Sequence, residues 1–283
     1  MKVLDYLKCE AEWKQAELAT FRKNAIYNLL NSGFPTLKDE EWKFTNLNAL
    51  YSSEFKTSSE KSVKKVSDFI FAEHVLVFVN GKFDQGLSTT SELPKGVIVC
   101  SLAEAILEET DLIIEHLGKY ASNSPFADLN SIMDSDGAFV YVPRGVSVEA
   151  IQFLYITNDN IISHARNLVI LEENSETKIL ETYFSEGVAS AFSNIVSEVK
   201  MKNCARLEYY KVQDENLNSF NIGTTEFSLE KNSHVKSFSI TLGGKIVRNE
   251  LNINFIEEFA EAVLDGLFIS DKDQLIDNHS LVN

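Results

Sequence analysis

Apolar residues near the start of the chain recur three or four positions apart, which is the period of one face of an α-helix. The series consists of Leu18, Phe21, Ala25 and Leu29. Gly33 and Pro35 follow it, and both residue types commonly stand just beyond the end of a helix. The pattern therefore predicts a helix over residues 10–32.

The segment after this helix mixes aromatic and acidic residues. Thr36, with Asp39 three positions later, resembles a capping box, which predicts that a short helix begins here. Trp42 and Phe44 follow, and large aromatic side chains are commonly buried. We therefore expect both aromatic rings to pack in a core.

A polar stretch and then a mixed pattern of strands and helix occupy the middle of the chain. Residues 51–67 read YSSEFKTSSEKSVKKVS and hold too few apolar residues to offset the entropy lost on folding, which predicts a linker. The next segment, HVLVFVNGKFD, contains Asn80-Gly81, a strong hairpin-turn signal. A further strand, GVIVCSL, then leads into a predicted helical span over residues 102–120.

From Gly137 onward the pattern changes to short β-rich segments separated by Asn, Asp and Gly. The spacings between successive anchors in this region are 29, 29 and 27 residues, for Asn174, Asn203, Asn232 and Phe259. A small residue follows each anchor: Ser175, Cys204, Ser233 and Ala260. We therefore interpret Cys204 as a packing residue. Such a repeat builds parallel strands stacked around a shared core.

These patterns predict a mainly β protein, in which a parallel β-helix follows a small helical and α+β amino-terminal region. The expected division is a helical region over 1–50, a linker over 51–67, an α+β segment over 68–135 and the β-helix over 136–283. The sequence stops at residue 283 with no glycine, proline or charged tail, and the family resemblance given below implies that the β-helix is truncated at its carboxy-terminal end.

Charge and cysteine usage narrow the classes of function. The chain has 283 residues, enough for a large core, and 42 acidic against 26 basic residues give a net charge of −16. This charge argues against nucleic acid and anionic membranes as partners. Cys9, Cys100 and Cys204 form no CxxC pair, which favours a reducing cytoplasm over a disulfide framework or zinc site. No segment is long and apolar enough to span a bilayer.

One acidic cluster deserves comparison with a metal site. Carboxylates and an imidazole suit a divalent metal, and the last eighteen residues hold Asp271, Asp273, Asp277 and His279. Their spacing matches no EF-hand or facial-triad signature, and the same residue types are usual in a solvated turn. We therefore assign no metal, catalytic or cofactor-binding residue, and keep these four as the only metal candidates.

Four segments, in order along the chain, resemble one protein family. They are DEEWKFTNL (39–47), DGAFVYVPRGVSVE (136–149), SHARNLVILEENSE (163–176) and EEFAEAVLDGLFISDKDQLIDNHS (257–280). Together they resemble the SufB/SufD family of the SUF iron–sulfur cluster assembly machinery. The short amino-terminal region without cysteine pairs is most similar to the SufD branch.

The resemblance implies a right-handed β-helix between helical domains, and a non-catalytic cytoplasmic scaffold that works with a SufB-like subunit and a SufC-like ATPase. In the family, the segment matched by Asp277, Asn278 and His279 lies inside the β-helix, with further coils and a helical domain after it. The resemblance implies that this chain is a fragment lacking the family's cluster-related histidine, its SufB-pairing surface and its ATPase-docking helices, so no metal-binding or ATPase-docking residue is transferred to it. An iron–sulfur cluster is expected only in the assembled complex.

Two alternatives remain open from sequence. A β-helix can also be a calcium-dependent polysaccharide lyase, although few Lys or Arg residues on the repeats suit the role of base. A stand-alone solenoid that binds other proteins has the same periodicity. A β-helix interrupted at residue 283 has an unpaired strand edge, so we also expect self-association through residues 265–283.

Overall fold

The computed structural model of the chain describes residues 16–57, 63, 66–90, 92–121, 124–133 and 136–283. Its α-helices are α1 (Ala16–Ser32), α2 (Asn48–Ser52), α3 (Leu102–Glu108), α4 (Thr110–His116) and α5 (Pro125–Ile132), and single-turn 3-10 helices lie at Glu40–Trp42 and Val66–Phe69. The strands are β1 (His74–Val79), β2 (Lys82–Phe83), β3 (Ile98–Ser101), β4 (Ala138–Val142), β5 (Ile151–Asn158), β6 (Ile162–Leu171), β7 (Glu176–Glu186), β8 (Phe192–Met201), β9 (Arg206–Asp214), β10 (Phe220–Leu229), β11 (His234–Thr241), β12 (Ile246–Phe255), β13 (Glu261–Phe268) and β14 (Leu275–Val282).

Two seven-stranded sheets enclose the main core. The strand order of sheet I is β13-β11-β9-β7-β5-β1-β2, and that of sheet II is β14-β12-β10-β8-β6-β4-β3. From β5 onward the chain alternates between the two sheets, and each strand pairs in parallel with the second strand after it. Each circuit is therefore one coil of a parallel β-helix, which confirms the predicted fold class.

The repeat register differs by one residue from the sequence-based register in one coil. The pairings Glu176↔Arg206, Arg206↔His234 and His234↔Glu261 give steps of 30, 28 and 27 residues. The left-handed turn residues that end these coils are Asn174, Cys204, Asn232 and Phe259, with φ of 60°, 59°, 55° and 62°. The predicted anchor Asn203 is therefore wrong. Cys204 occupies the turn position and Ala205 the small, buried one.

The corrected register predicts that Cys204→Asn stabilises the protein. A residue with a Cβ pays roughly 1 kcal/mol or more in the left-handed region, and Asn tolerates that region better than Cys does. We expect a gain of about 0.5–1 kcal/mol in the free energy of unfolding, measured by urea denaturation. Asn203→Ala, one residue earlier, is the control and should bring no gain. An equal gain from both variants contradicts the corrected register.

The helix and hairpin predictions are confirmed at the start of the chain and corrected further on. α1 covers the described part of the predicted helix, and residues 10–15 lie outside the described residues. Asn80 and Gly81, with φ of 55° and 76°, connect the antiparallel strands β1 and β2 as predicted. The predicted span 102–120 is instead two helices, because the backbone at Glu109 has φ −119° and ψ 38°.

The amino-terminal region covers the outer face of sheet II. α5 lies against β6, β8 and β10. A buried aromatic cluster connects the amino-terminal region to sheet II, and it contains Trp42, Phe55, Phe126, Phe192 and Phe220. Phe55, at 1% exposure, shows that the first part of segment 51–67 packs on the solenoid. Residues 58–62 and 64–65 lie outside the described residues, so the linker boundaries stay a prediction.

The two neighbouring aromatic residues of the amino-terminal segment have different environments. Trp42 is 5% exposed, which confirms its predicted burial, whereas Phe44 is 82% exposed, so its predicted burial is wrong. Trp42 lies in a 3-10 helix that turns it toward the solenoid, and Phe44 lies beyond the end of that helix.

Among the described residues no helix has the length and apolar character needed to cross a lipid bilayer.

Candidate functional site

The predicted metal candidates lie in two environments. Asp277 and His279 are on β14, whereas Asp271 and Asp273 are exposed in the turn before it, where Asp271 pairs with Lys272 at 3.2 Å. Among the residues that the structure describes, no group of three or more His, Cys, Asp or Glu side chains is placed to hold a metal ion. We therefore derive no metal chemistry from these four residues.

Asp277 instead forms a charged contact with a buried arginine. Arg248 of β12 lies directly opposite Asp277 in the parallel pairing of β12 with β14. Its Nη1 atom is 2.5 Å from Asp277 Oδ2, and the hydroxyl of Thr45 donates a hydrogen bond to the same oxygen. The Arg248 side chain is 2% exposed and that of Asp277 is 16% exposed. A charge buried to this degree is costly without a partner.

The guanidinium of Arg248 also binds the amino-terminal segment. It lies over the ring of Trp42, 3.8 Å from the ring centroid, and its Nη1 donates to the carbonyl oxygen of Glu41 at 2.9 Å. Its Nε donates to Glu250 Oε1 at 3.0 Å. Stacking and hydrogen bonding by one planar guanidinium therefore fix the segment around Trp42 to sheet II.

His279 completes this contact at the surface. Its Nδ1 is 3.3 Å from Glu41 Oε2, and its Nε2 is 3.2 Å from Asp277 Oδ1. The 3-10 helix that carries Glu41 follows a turn in which the carboxylate of Asp39 accepts a hydrogen bond from the amide of Thr36 at 2.7 Å. We name the whole contact the amino-terminal clasp, and its residues are Glu41, Trp42, Thr45, Arg248, Glu250, Asp277 and His279.

A second buried ion pair fastens the helices to the middle coils. Arg166 of β6 donates to Glu198 Oε1 of β8 from Nε at 2.9 Å and from Nη2 at 2.5 Å. Glu198 also accepts hydrogen bonds from the amides of Gly118 and Tyr120 at 3.0 and 2.9 Å. Arg166 Nη1 donates to Ser131 of α5 at 2.9 Å. The pair therefore connects two strands with two helical segments.

Asp136 and Gly137 form a third junction, just before strand β4. The Asp136 carboxylate accepts hydrogen bonds from the amides of Phe83, Ala103 and Gly137 at 3.2, 3.2 and 2.8 Å. Burial nevertheless raises the pKa of this carboxyl group. A Cβ atom at position 137 would lie 2.0 Å from the carbonyl oxygen of Arg166, so glycine permits the close approach of two strands.

The interior of the β-helix carries a polar row that sequence analysis missed. Tyr155 OH donates to Asn167 Oδ1 at 2.5 Å, and Asn167 Nδ2 donates to Ser197 Oγ at 3.0 Å. Ser197 Oγ in turn donates to Glu181 Oε2 at 2.8 Å. All four residues are buried. The row therefore crosses between the two sheets within the core.

A second carboxylate lies in the same interior. Glu215 accepts hydrogen bonds from Ser193 Oγ and Asn221 Nδ2, both at 2.7 Å. Burial raises its pKa to about 7, and the positive charge of Lys211 acts in the opposite direction. Lys211 and Gln213 share the parity of buried Leu207 and Tyr209, but apolar residues also stand at the other parity of β9, so the sequence gave no clear signal of this polar interior.

Two isolated groups that could take part in catalysis are neutral near pH 7. Burial lowers the pKa of the His164 imidazole to about 3 and raises the pKa of the Cys100 thiol to about 12. Cys204 lies at a partly exposed turn. The ion pairs and hydrogen bonds described above join the helices to the solenoid.

Comparisons with known proteins match both parts of this architecture. A family model described as the SufBD protein N-terminal region matches residues 7–153, and one described as SUF system FeS cluster assembly, SufBD core domain, matches residues 154–283. The boundary between the two models falls within β5, the strand at which the regular alternation between sheets begins.

Several curated proteins are similar over most of the chain. The iron-sulfur cluster assembly SufBD family protein slr0076 of Synechocystis is 29% identical over 283 residues, a match that covers 94% of this chain and 62% of that protein. SufD of Escherichia coli is 22% identical, with 90% of this chain and 60% of SufD covered. SufB of Bacillus subtilis is 28% identical over 161 residues, which cover 54% of this chain.

The chain thus spans about 60% of the length of the relatives that it matches from end to end. The segments that carry the resemblance also carry the junctions described above: Trp42 and Asp277 lie in the clasp, Arg166 in the second ion pair, and Gly137 at the close strand approach. The segments that resemble the family are therefore also segments that form the buried contacts described above. The chain belongs to the SufBD family of SUF-system iron–sulfur cluster assembly proteins.

Proposed function

We propose that the chain is a non-catalytic scaffold subunit of the SUF iron–sulfur cluster assembly complex, in which the β-helix is a rigid platform for partner subunits. The observation that carries the proposal is the match of two SufBD models across residues 7–283, on a fold whose buried charges serve to join its parts. The family assignment favours this function over the polysaccharide lyase and the stand-alone solenoid.

We further propose a role close to that of SufD. The E. coli SufD match covers 90% of this chain and includes the amino-terminal region, whereas the B. subtilis SufB match covers 54%. Identity is higher for the shorter SufB match, at 28% against 22%, so coverage and not identity supports this assignment. The partners are then a SufB-like subunit and a SufC-like ATPase in the cytoplasm, and the iron–sulfur cluster is cargo of the assembled complex.

The end of the solenoid formed by β13 and β14 is the surface proposed for self-association. Large apolar residues are exposed there, including Phe259, Leu267, Phe268, Ile269, Leu281 and Val282. In both sheets the terminal strand pairs on one side only among the described residues. A strand edge beside exposed apolar side chains suits another stacked coil, so a second copy of this chain is expected to bind here.

Co-expression tests the proposal. A tagged form of the protein is expected to retain a SufB-like subunit and a SufC-like ATPase through affinity purification and size exclusion, and residues 1–283 expressed alone are expected to self-associate. Phe268→Glu places a charge on the proposed surface, where Phe268 is 59% exposed, and should abolish self-association. Tyr27→Glu, on an α1 residue that is 70% exposed, should leave self-association unchanged.

Two outcomes count against the proposal. Retention of neither a SufB-like subunit nor a SufC-like ATPase removes the scaffold role, and equal self-association of the Phe268→Glu and native chains removes the proposed surface. Release of unsaturated sugars from acidic polysaccharide in the presence of calcium supports the lyase alternative instead.

A further inference from the structure

A polar pocket lies in the amino-terminal region, between α1, α5 and the loop that follows α4. Its volume is about 310 Å³, and its lining includes the exposed residue Asn24, so it is open to solvent. The polar and charged lining residues are Asn24, Tyr27 and Asn28 of α1, Asp128 and Ser131 of α5, and Arg166 of β6. The pocket is therefore separate from the last coils of the solenoid.

One face of α1 forms a wall of this pocket. Phe21, Asn24 and Asn28 stand three and four residues apart, so they share a face of the helix. All three line the pocket, and α1 packs against α5, which carries Asp128. Asparagine forms helices less readily than alanine or leucine, so two asparagines on this face point to a use for their amide groups.

Asp128 is a buried carboxylate with too few partners. It is 8% exposed, and within the described part of the chain its carboxylate accepts one hydrogen bond, from Asn28 Nδ2 at 3.4 Å. By contrast, the buried carboxylates of Asp136, Glu198 and Glu215 each accept at least two hydrogen bonds of 3.2 Å or shorter. Burial raises the pKa of Asp128 to about 6, so the group is mostly ionised near pH 7. A buried charge with so little compensation points to a missing cationic ligand.

Arg166, the other charged residue among the described lining residues, is already paired. Its guanidinium donates to Glu198 Oε1 from Nε at 2.9 Å and from Nη2 at 2.5 Å, and it forms no ion pair with Asp128. Its Nη1 donates to Ser131 Oγ at 2.9 Å and to Asn130 Oδ1 at 3.3 Å. The charges of Arg166 and Glu198 cancel as a unit. Asp128 therefore carries the uncompensated charge of the pocket, and that charge is negative.

We propose that this pocket binds a small molecule through a primary ammonium group, with the Asp128 carboxylate as its counterion and the amide oxygens of Asn24 and Asn28 as further acceptors. A primary ammonium group has three N–H donors and no acceptor, which matches these three side chains. Asn28 donates to Asp128 through its nitrogen, so its oxygen is left for the ligand. The site does not depend on the proposed scaffold function, because binding is measured on the chain without partner subunits.

Isothermal titration calorimetry with ethanolamine hydrochloride, near pH 7 and at constant ionic strength, tests the site. Saturable binding of one ethanolamine per chain is expected. Choline has the same skeleton but a quaternary nitrogen without N–H donors, so its affinity should be about tenfold weaker or less. Ethylene glycol, in which a hydroxyl group replaces the ammonium group, should give no saturable binding.

Asp128→Asn removes the charge and keeps the shape of the side chain, so its ethanolamine affinity should be at least about tenfold weaker. Because burial raises the pKa of Asp128 from 3.8, the ionised carboxylate destabilises the fold near pH 7, and the unfolding midpoint of Asp128→Asn in ligand-free buffer should not fall. Asp111→Asn, on an exposed residue of α4, is the matched control and should bind as the native chain does. Ethanolamine binding no tighter than choline binding, or native ethanolamine affinity in Asp128→Asn, overturns the proposal.

Discussion

Asp277→Ala should lower the free energy of unfolding by about 3 kcal/mol, because removing one partner of a buried ion pair leaves the other charge without compensation. The side chain of Arg248 is 2% exposed and lies 2.5 Å from the Asp277 carboxylate. Glu250, at 3.0 Å, remains as a carboxylate partner, which keeps the loss at the lower end of the usual range. Thr45 also loses the acceptor of its hydroxyl hydrogen bond.

The same substitution at Asp273 provides a matched control. Asp273 lies in the exposed turn only four residues earlier, and surface substitutions away from such contacts usually change stability by less than about 0.5 kcal/mol. Asp277→Asn keeps an oxygen for Arg248 and Thr45, so its loss should fall between the other two. Urea denaturation measures all three variants. Equal stability of Asp277→Ala and Asp273→Ala contradicts the structural role of the clasp.

The clasp also connects parts of the chain that are distant in sequence. Arg248 and Glu41 are 207 residues apart, and Asp277 and Thr45 are 232 residues apart. Closing a loop of this length is entropically costly until the intervening solenoid has folded, so we expect the amino-terminal segment to dock late in folding.

The sequence predicted the elements whose signals are local. The end of α1 at Gly33 and the Asn80-Gly81 turn each depend on a backbone conformation that few residue types adopt, so composition alone identified them. Helix α5 was missed, although Ser124 caps it by accepting a hydrogen bond from the Ala127 amide. Its eight residues are too few to display a clear helical period.

The repeat was identified, but its register was wrong in one coil. Aligning coils by residue identity placed Asn203 with Asn174, whereas the backbone places Cys204 there. Turns between strands differ in length from coil to coil, and a shift of one residue exchanges the inner and outer faces of a strand. Identity of turn residues is therefore a poor guide where one coil substitutes cysteine for asparagine.

The four metal candidates show that contacts between residues distant in sequence could not be predicted. Sequence grouped Asp271, Asp273, Asp277 and His279 because they are neighbours along the chain. The structure gives Asp277 and His279 partners at Arg248 and Glu41, which no local pattern indicates. In β9, apolar residues stand at both parities, so the pattern did not reveal that Lys211 faces the core. Long-range contacts, unlike turns, leave no signature in a short window.

The Glu215→Gln variant should gain stability relative to the native chain as the pH rises. The free energy of unfolding of the variant minus that of the native chain should be about 3 kcal/mol larger at pH 8 than at pH 4. Burial raises the pKa of Glu215 from 4.5 to about 7 in the folded state. Between these values the unfolded chain has already lost the proton that the folded chain keeps, so native stability falls as the pH rises from 4.5 to 7. A difference of this size corresponds to about 1.4 kcal/mol per pKa unit.

The amide of glutamine fits the same contacts without a charge, because its oxygen can accept from Asn221 while its nitrogen donates to the hydroxyl of Ser193. Asp214→Asn, at the exposed neighbouring position, is the matched control for replacing a carboxylate by an amide. His164, whose pKa burial lowers to about 3, contributes the opposite slope below pH 6.5 in native and variant chains alike, and it cancels in the difference. A difference curve for Glu215→Gln that stays flat from pH 4 to pH 8 contradicts a proton held by a buried Glu215.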